Sequence, residues 1–210
     1  MKSDDCQRLK EVLKTPKSIG VVTHRNPDGD AYGSSLALYF YLSKLGHKVH
    51  VVSPNDCPGF LKWMPGQGDI TIFEHDLKSA SRILENSEVV FALDFNALHR
   101  LGDMMGDFME TLNPFYVMID HHQEPDDFAN ITYVDPTICS TSQMVYQFMD
   151  SMGDLNLMDD MIATCLYTGI LTDTGSFRFP ATDSTTHRIV ASLLDHGANN
   201  AEIYRKIHDV

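Results

Sequence analysis

The turn between the first strand-like run and the first long helical pattern reads His24-Arg25-Asn26-Pro27-Asp28-Gly29-Asp30-Ala31. It places one imidazole and two carboxylates at the carboxyl end of a strand, the edge at which open α/β sheets bind ligands. Pro27 and Gly29 favour a tight turn that holds Asp28 and Asp30 close together. Two carboxylates so close repel each other unless a cation lies between them. The first hypothesis for this turn is therefore a divalent metal ion, and the alternative is an ordinary turn with Asp30 as the N-cap of the helix.

The composition is typical of a globular protein, with 43% hydrophobic and 21% charged residues in a chain of 210. No apolar run is long enough to span a membrane, and the N-terminus lacks the apolar core of a signal peptide, so we expect a cytoplasmic protein with no membrane partner. The net charge of −13 argues against binding to long duplex nucleic acid. The four cysteines are widely spaced, which predicts reduced thiols and neither a zinc knuckle nor a disulfide framework.

Short apolar runs alternate with helical patterns over the first two thirds of the chain. Strands are predicted at residues 19–23, 49–53, 70–73, 89–93, 115–119 and 131–134. Helices are predicted at residues 1–17, 31–45, 77–84 and 103–112. Later helices are predicted from residues 140–142, at 157–171 and twice within 183–208. The alternation predicts an α/β fold, a parallel doubly wound sheet flanked by helices, with a helical C-terminal part at about residues 140–210 of a single domain.

Three predicted strands run directly into acidic or imidazole side chains: His24, Asp94 and the triplet Asp120-His121-His122. The ends of parallel strands share one edge of a sheet, so these side chains are expected to converge. Asp173, where the helix at 157–171 ends, is a further candidate. Carboxylates with imidazoles suit Mn²⁺, Zn²⁺, Fe²⁺ or Co²⁺, and the excess of carboxylates favours Mn²⁺. So many ligands indicate two metal ions sharing one carboxylate, an arrangement suited to displacement at phosphorus.

These residues form four motifs in order along the chain: His24-x-Asn26-Pro27-Asp28-Gly29-Asp30-Ala31, Asp94 with Arg100, Asp120-His121-His122, and Thr172-Asp173-Thr174-Gly175. The set resembles the DHH phosphoesterase superfamily over about residues 15–205, and within it most closely the nanoRNase and pAp phosphatase branch related to RecJ. The resemblance implies a Mn²⁺-dependent enzyme that hydrolyses short oligoribonucleotides or 3′-phosphoadenosine 5′-phosphate (pAp). A hydroxide activated by two metal ions would be the nucleophile, and Mg²⁺ or Co²⁺ are alternative ions.

The same resemblance implies two sets of metal ligands that share Asp94. The first set is His24, Asp28 and Asp94. The second set is Asp30, Asp94, His121 and Asp173.

Three further residues receive catalytic roles from the resemblance. His122 is expected to face the scissile phosphate as a hydrogen-bond donor or general acid. Asp120 is expected to orient an imidazole. Arg100 either anchors a carboxylate ligand or contacts phosphate, and the sequence does not choose between these roles.

Four polar residues are candidates for contact with substrate phosphate: Asn26, Ser140, Thr141 and Ser142. The last three lie at a predicted helix N-terminus, whose backbone N–H groups can bind an anion. The alternative is that they cap this helix and do nothing more.

Several other functions remain open at this point. Manganese-dependent inorganic pyrophosphatases and cyclic-dinucleotide phosphodiesterases share the four motifs, and a binding domain without catalysis could keep the same fold. A plain dinucleotide-binding domain is disfavoured because no G-x-G-x-x-G follows the first strand.

Oligonucleotide-degrading members of the family usually carry a C-terminal substrate-binding domain with a Gly-Gly-Gly-His type motif. This sequence has no adjacent glycines, so we expect that domain to be absent from the chain. Family members often form homodimers, which we keep as a further expectation.

Overall fold

The computed structural model describes residues 1–209, which form six β-strands and eight α-helices. The strands are β1 Ser18–Thr23, β2 Lys48–Ser53, β3 Thr71–Ile72, β4 Val89–Leu93, β5 Phe115–Asp120 and β6 Ile131–Val134. The helices are α1 Ser3–Val12, α2 Gly29–Lys44, α3 Leu77–Glu85, α4 Asp103–Glu110, α5 Thr141–Met152, α6 Asp160–Asp173, α7 Ser184–Asp195 and α8 Asn200–His208. The predicted α/β fold class is confirmed.

All strand pairs are parallel, and the strand order is β3-β2-β1-β4-β5-β6. The chain moves outward from β1 in one direction and then, from β4, in the other. β1 and β4 pair directly, with Val22 opposite Ala92. The gap between their carboxyl ends is the topological switch point, at which sheets of this kind bind ligands.

Side chains of the central strands alternate between two apolar layers. In β4, Phe91 and Leu93 belong to the layer beneath α2, α5 and α6, whereas Val90 and Ala92 face α3 and α4. A strand that is buried on both faces needs a continuous apolar sequence, which explains why residues 89–93 carry no polar side chain.

Helices α2 and α6 cross with their backbones in close contact. A Cβ atom on Gly33 would lie 2.6 Å from the carbonyl oxygen of Cys165 and 2.9 Å from the backbone nitrogen of Gly169. The close approach requires glycine at this point, because any side chain would force the two helices apart. The crossing also brings the first turn of α2 near α6.

Several predicted boundaries are wrong by a few residues. The first helix ends at Val12, and the 70–73 strand keeps only Thr71–Ile72. The helix predicted at 157–171 begins at Asp160, because a short 3₁₀ turn precedes it and Asp159 caps it by accepting a hydrogen bond from Ile162 N. At its other end the helix continues past the predicted boundary at residue 171, and Asp173 is the last residue of α6.

Helix α2 is capped by Asp28 and not by Asp30, the N-cap in the alternative interpretation of this turn. Asp28 Oδ1 accepts hydrogen bonds from the backbone nitrogens of Asp30 and Ala31, both at 3.0 Å. None of the helices within residues 1–209 is long and apolar enough to cross a membrane.

Candidate metal centre

The candidate site lies where the ends of three strands meet the ends of two helices. His24 follows β1, Asp94 follows β4, and the triplet 120–122 begins with the last residue of β5. Asp30 is in the first turn of α2, and Asp173 ends α6. Residues that are far apart in sequence therefore come together at the switch point.

The structure groups the potential ligand atoms into overlapping sets, in each of which all atoms lie within 4.8 Å of one another. The first set is His24, Asp28 and Asp94. The second set is Asp30, His121 and Asp173, and a third joins Asp94, His121 and His122. The six predicted metal ligands thus lie together, but Asp94 is grouped with His121 and His122 and not with Asp30 and Asp173. Their binding of metal, and their division into two ligand sets, remain predictions.

Asp94 lies between the first two sets. Its Oδ2 is 3.4 Å from Nε2 of His24, and its Oδ1 is 3.6 Å from Nε2 of His121. One carboxylate oxygen therefore faces each set. The backbone of Asp94 is left-handed, with φ 64°. This conformation costs a non-glycine residue about 1–2 kcal/mol, and such strain is common at functional sites.

The ring orientations of His24 and His121 suit metal binding. Nδ1 of His24 is 2.9 Å from the carbonyl oxygen of Arg25, and Nδ1 of His121 is 3.2 Å from that of Ile138. A carbonyl oxygen can only accept, so each Nδ1 must donate a proton. In the neutral ring, Nε2 then keeps a lone pair that faces the carboxylates, as a metal ligand requires.

Burial and crowding of the carboxylates raise their pKa values. Burial, with the charge of Asp30 next, raises the pKa of Asp94 well above its usual value. Burial also raises the pKa of Asp30. For Asp173, burial and then the charges of Asp30 and Asp28 raise the pKa to about 8. Carboxylates in such surroundings are stabilised in their charged form by a bound cation.

His122 is held differently from the other two imidazoles. Its Nδ1 lies 2.7 Å from Oδ1 of Asp120, which is fully buried, while the His122 side chain is 34% exposed. The hydrogen bond to Asp120 raises the pKa of His122, while burial and then the positive charge of Arg100 oppose this rise. Arg100 also accepts a hydrogen bond at its carbonyl oxygen from the backbone nitrogen of Arg25, at 2.8 Å, which joins the loops after β1 and β4.

The helix start at Ser140 does not offer the anion site considered from the sequence. Ser140 caps α5 by accepting a hydrogen bond from Gln143 N, and Ser140, Thr141 and Ser142 are fully buried. The backbone nitrogens of Thr141 and Ser142 donate to the carboxylate of Asp30, at 2.6 and 2.8 Å. The anion at this helix N-terminus is a side chain of the protein, so the backbone N–H groups of Thr141 and Ser142 are already occupied, and contact of these three residues with substrate phosphate stays a prediction.

Asn26 is tied to a residue that the sequence analysis missed. Its backbone nitrogen donates to Oδ1 of Asn55 at 2.7 Å, and its Oδ1 accepts from Nδ2 of Asn55 at 3.1 Å. Asn55 follows β2 at the same edge of the sheet, and the rule that identified His24 and Asp94 would have found it. The left-handed backbone of Asn26, with φ 56°, is stabilised by this pair.

Fold and site together define an α/β protein with a carboxylate–imidazole centre at the switch point of a parallel sheet. The chain belongs to the DHH family: the model for the N-terminal domain of that family matches residues 18–170.

Two curated relatives and one solved structure show the similarity in detail. The bifunctional oligoribonuclease and PAP phosphatase NrnA of Thermus thermophilus is 36% identical over 196 residues, which cover 93% of this chain and 55% of the relative. A probable enzyme of the same name from Streptococcus mutans is 29% identical, with 93% and 58% covered. The crystal structure of an exopolyphosphatase-related protein from Bacteroides fragilis superposes with a TM-score of 0.97 at 37% identity, covering 100% of this chain and 61% of that one. The chain therefore spans less than two thirds of the length of each.

Proposed function

We propose that residues 1–210 act as the catalytic domain of a phosphoesterase that hydrolyses short oligoribonucleotides and pAp with two divalent ions, preferably Mn²⁺. The observation that carries this proposal is the position of Asp94, with one oxygen facing each set of ligands. The names of the curated relatives, oligoribonuclease and PAP phosphatase, support the choice of substrate class.

The residues present fit two metal ions. Each set offers carboxylate oxygens and one imidazole nitrogen, and neither includes a thiolate. This mixture suits Mn²⁺ better than ions that prefer sulfur ligands. His24, Asp28 and Asp94 would hold one ion, and Asp30, Asp94, His121 and Asp173 the other. When bound, two such ions supply Lewis acidity at the phosphoryl oxygens and lower the pKa of water.

His122 and Asp120 would handle a proton in the reaction. Asp120 accepts from Nδ1 of His122 and raises the pKa of the ring, so His122 keeps its second proton to a higher pH than a free imidazole. That proton, on the partly exposed Nε2, is available to the oxygen that leaves phosphorus. Arg100 adds positive charge beside His122, which favours an anionic substrate.

The test is hydrolysis by the metal-stripped chain with and without added Mn²⁺, using pAp, a diribonucleotide, pyrophosphate and cyclic di-AMP. We expect Mn²⁺-dependent cleavage of the first two substrates. The matched control is Asp94→Asn, which keeps the shape of the side chain and removes the charge that both sets share. Cleavage of pyrophosphate or cyclic di-AMP alone would contradict the proposed substrate class, and equal activity of Asp94→Asn would contradict the proposed centre.

A further inference from the structure

The N-terminus of α5 contacts both of the buried carboxylates at the centre of the site. The backbone nitrogens of Thr141 and Ser142 donate to Asp30, and the side-chain hydroxyl of Thr141 donates to Oδ1 of Asp94 at 2.9 Å. Thr141, Asp30 and Asp94 are all buried. One residue outside the predicted ligand sets therefore bonds to one carboxylate through its backbone and to another through its side chain.

The hydroxyl of Thr141 contacts one of the two oxygens of the Asp94 carboxylate. Within residues 1–209, it is the one group that donates a hydrogen bond to this carboxylate. The Thr141 hydroxyl donates to Oδ1, the carboxylate oxygen that faces His121. The other oxygen, Oδ2, accepts no hydrogen bond from Thr141 and faces His24. Without this bond, the carboxylate could rotate about its terminal torsion, which is broad for aspartate.

We propose that Thr141 is a positioning residue for Asp94: its hydroxyl holds the carboxylate in the orientation that lets one oxygen serve each ligand set, and the second ion depends on it. The inference rests on the proposed two-metal centre. Groups that orient metal ligands typically contribute roughly 10- to 100-fold to metal affinity.

The chemistry of position 141 separates the two contacts. Any residue except proline supplies the backbone N–H group for Asp30 at this position, whereas a hydroxyl for Asp94 needs threonine or serine. Thr141→Val keeps the shape and the N–H and removes the hydroxyl. Thr141→Ser keeps both donors and removes one methyl group. A further control is Thr168→Val, which deletes a buried hydroxyl in α6 that donates within its own helix, to the carbonyl oxygen of Thr164 at 2.8 Å.

The experiment measures Mn²⁺ binding to the metal-stripped chain by calorimetry, with the number of bound ions counted by electron paramagnetic resonance. For the wild type, Thr141→Ser and Thr168→Val we expect two ions at similar affinity. For Thr141→Val we expect one of the two ions to bind at least roughly tenfold more weakly. Thr141→Ala, which avoids any crowding by valine, should give the same loss if the valine variant does not fold.

Two results would overturn the inference. The first is binding of two ions at wild-type affinity by Thr141→Val or by Thr141→Ala. The second is an equal loss of Mn²⁺ affinity in Thr168→Val, which would indicate a general effect of removing a buried hydroxyl. Hydrolysis of pAp by the wild type is measured in parallel. A wild type that binds two ions and cleaves neither pAp nor a diribonucleotide contradicts the proposed function and leaves the role of Thr141 to be decided by the binding data alone.

Discussion

At the scale of single residues, the adjacent histidines 121 and 122 differ in what their Nδ1 atoms contact. His121 donates to a backbone carbonyl and points Nε2 at three carboxylates, whereas His122 pairs with the buried carboxylate of Asp120. We therefore predict that His121→Ala loses one of two bound Mn²⁺ ions. His122→Ala should keep both ions and slow hydrolysis of pAp about 10²- to 10⁴-fold, the usual contribution of a general acid.

The measurement combines a count of bound ions with steady-state kinetics for each variant. His50→Ala, in β2 and outside the ligand sets, serves as the control and should match the wild type in both. The result that would reverse the assignment is loss of an ion in His122→Ala, since Asp94, His121 and His122 also form a possible ligand set.

At the scale of helices and strands, the crossing of α2 and α6 fixes the distance between the two sides of the site. We predict that Gly33→Ala lowers the free energy of unfolding by about 1–3 kcal/mol, because its Cβ would meet backbone atoms of α6, which cannot move aside as a flexible side chain can. The matched control is Gly59→Ala, whose Cβ would have open space and which should stay within about 0.5 kcal/mol of the wild type. Chemical denaturation of the metal-free chain measures both values, and equal stability of the two variants would show that the crossing tolerates a methyl group.

Some features of the arrangement of helices and strands can be predicted from the sequence, and others cannot. The order of strands and helices follows from apolar patterns that are local in sequence, and the convergence of His24, Asp94 and the triplet 120–122 follows from the single rule that parallel strands end at one edge. The Gly33–Gly169 crossing is not local, because no periodicity identifies which two helices pack together. The pairing of the α5 N-terminus with Asp30 was missed for the same reason: the sequence shows a helix start but not the anion that it faces.

At the scale of the whole molecule, the net charge of −13 and the cluster of buried carboxylates lead us to expect that divalent ions stabilise the folded chain. An ion that binds only the folded chain stabilises it by about 2.7 kcal/mol at 100 times its dissociation constant. In a domain of this size, each kcal/mol raises Tm by about 2–4 °C. We therefore predict that Mn²⁺ at such a concentration raises the Tm of the stripped chain by about 10 °C or more if both sites fill.

Screening of surface charge would also raise Tm, but it differs from site binding in its dependence on concentration. Screening by NaCl at matched ionic strength should give a small, gradual rise, because it acts on exposed charges over the Debye length. Binding to the centre should raise Tm from concentrations near the dissociation constant and then in proportion to the logarithm of the Mn²⁺ concentration. Asp94→Asn should lose most of the rise, since that variant removes the charge that both ligand sets share. A Tm that follows ionic strength alone, identical for Mn²⁺ and NaCl and for both chains, would mean that the buried carboxylates do not act as a metal centre.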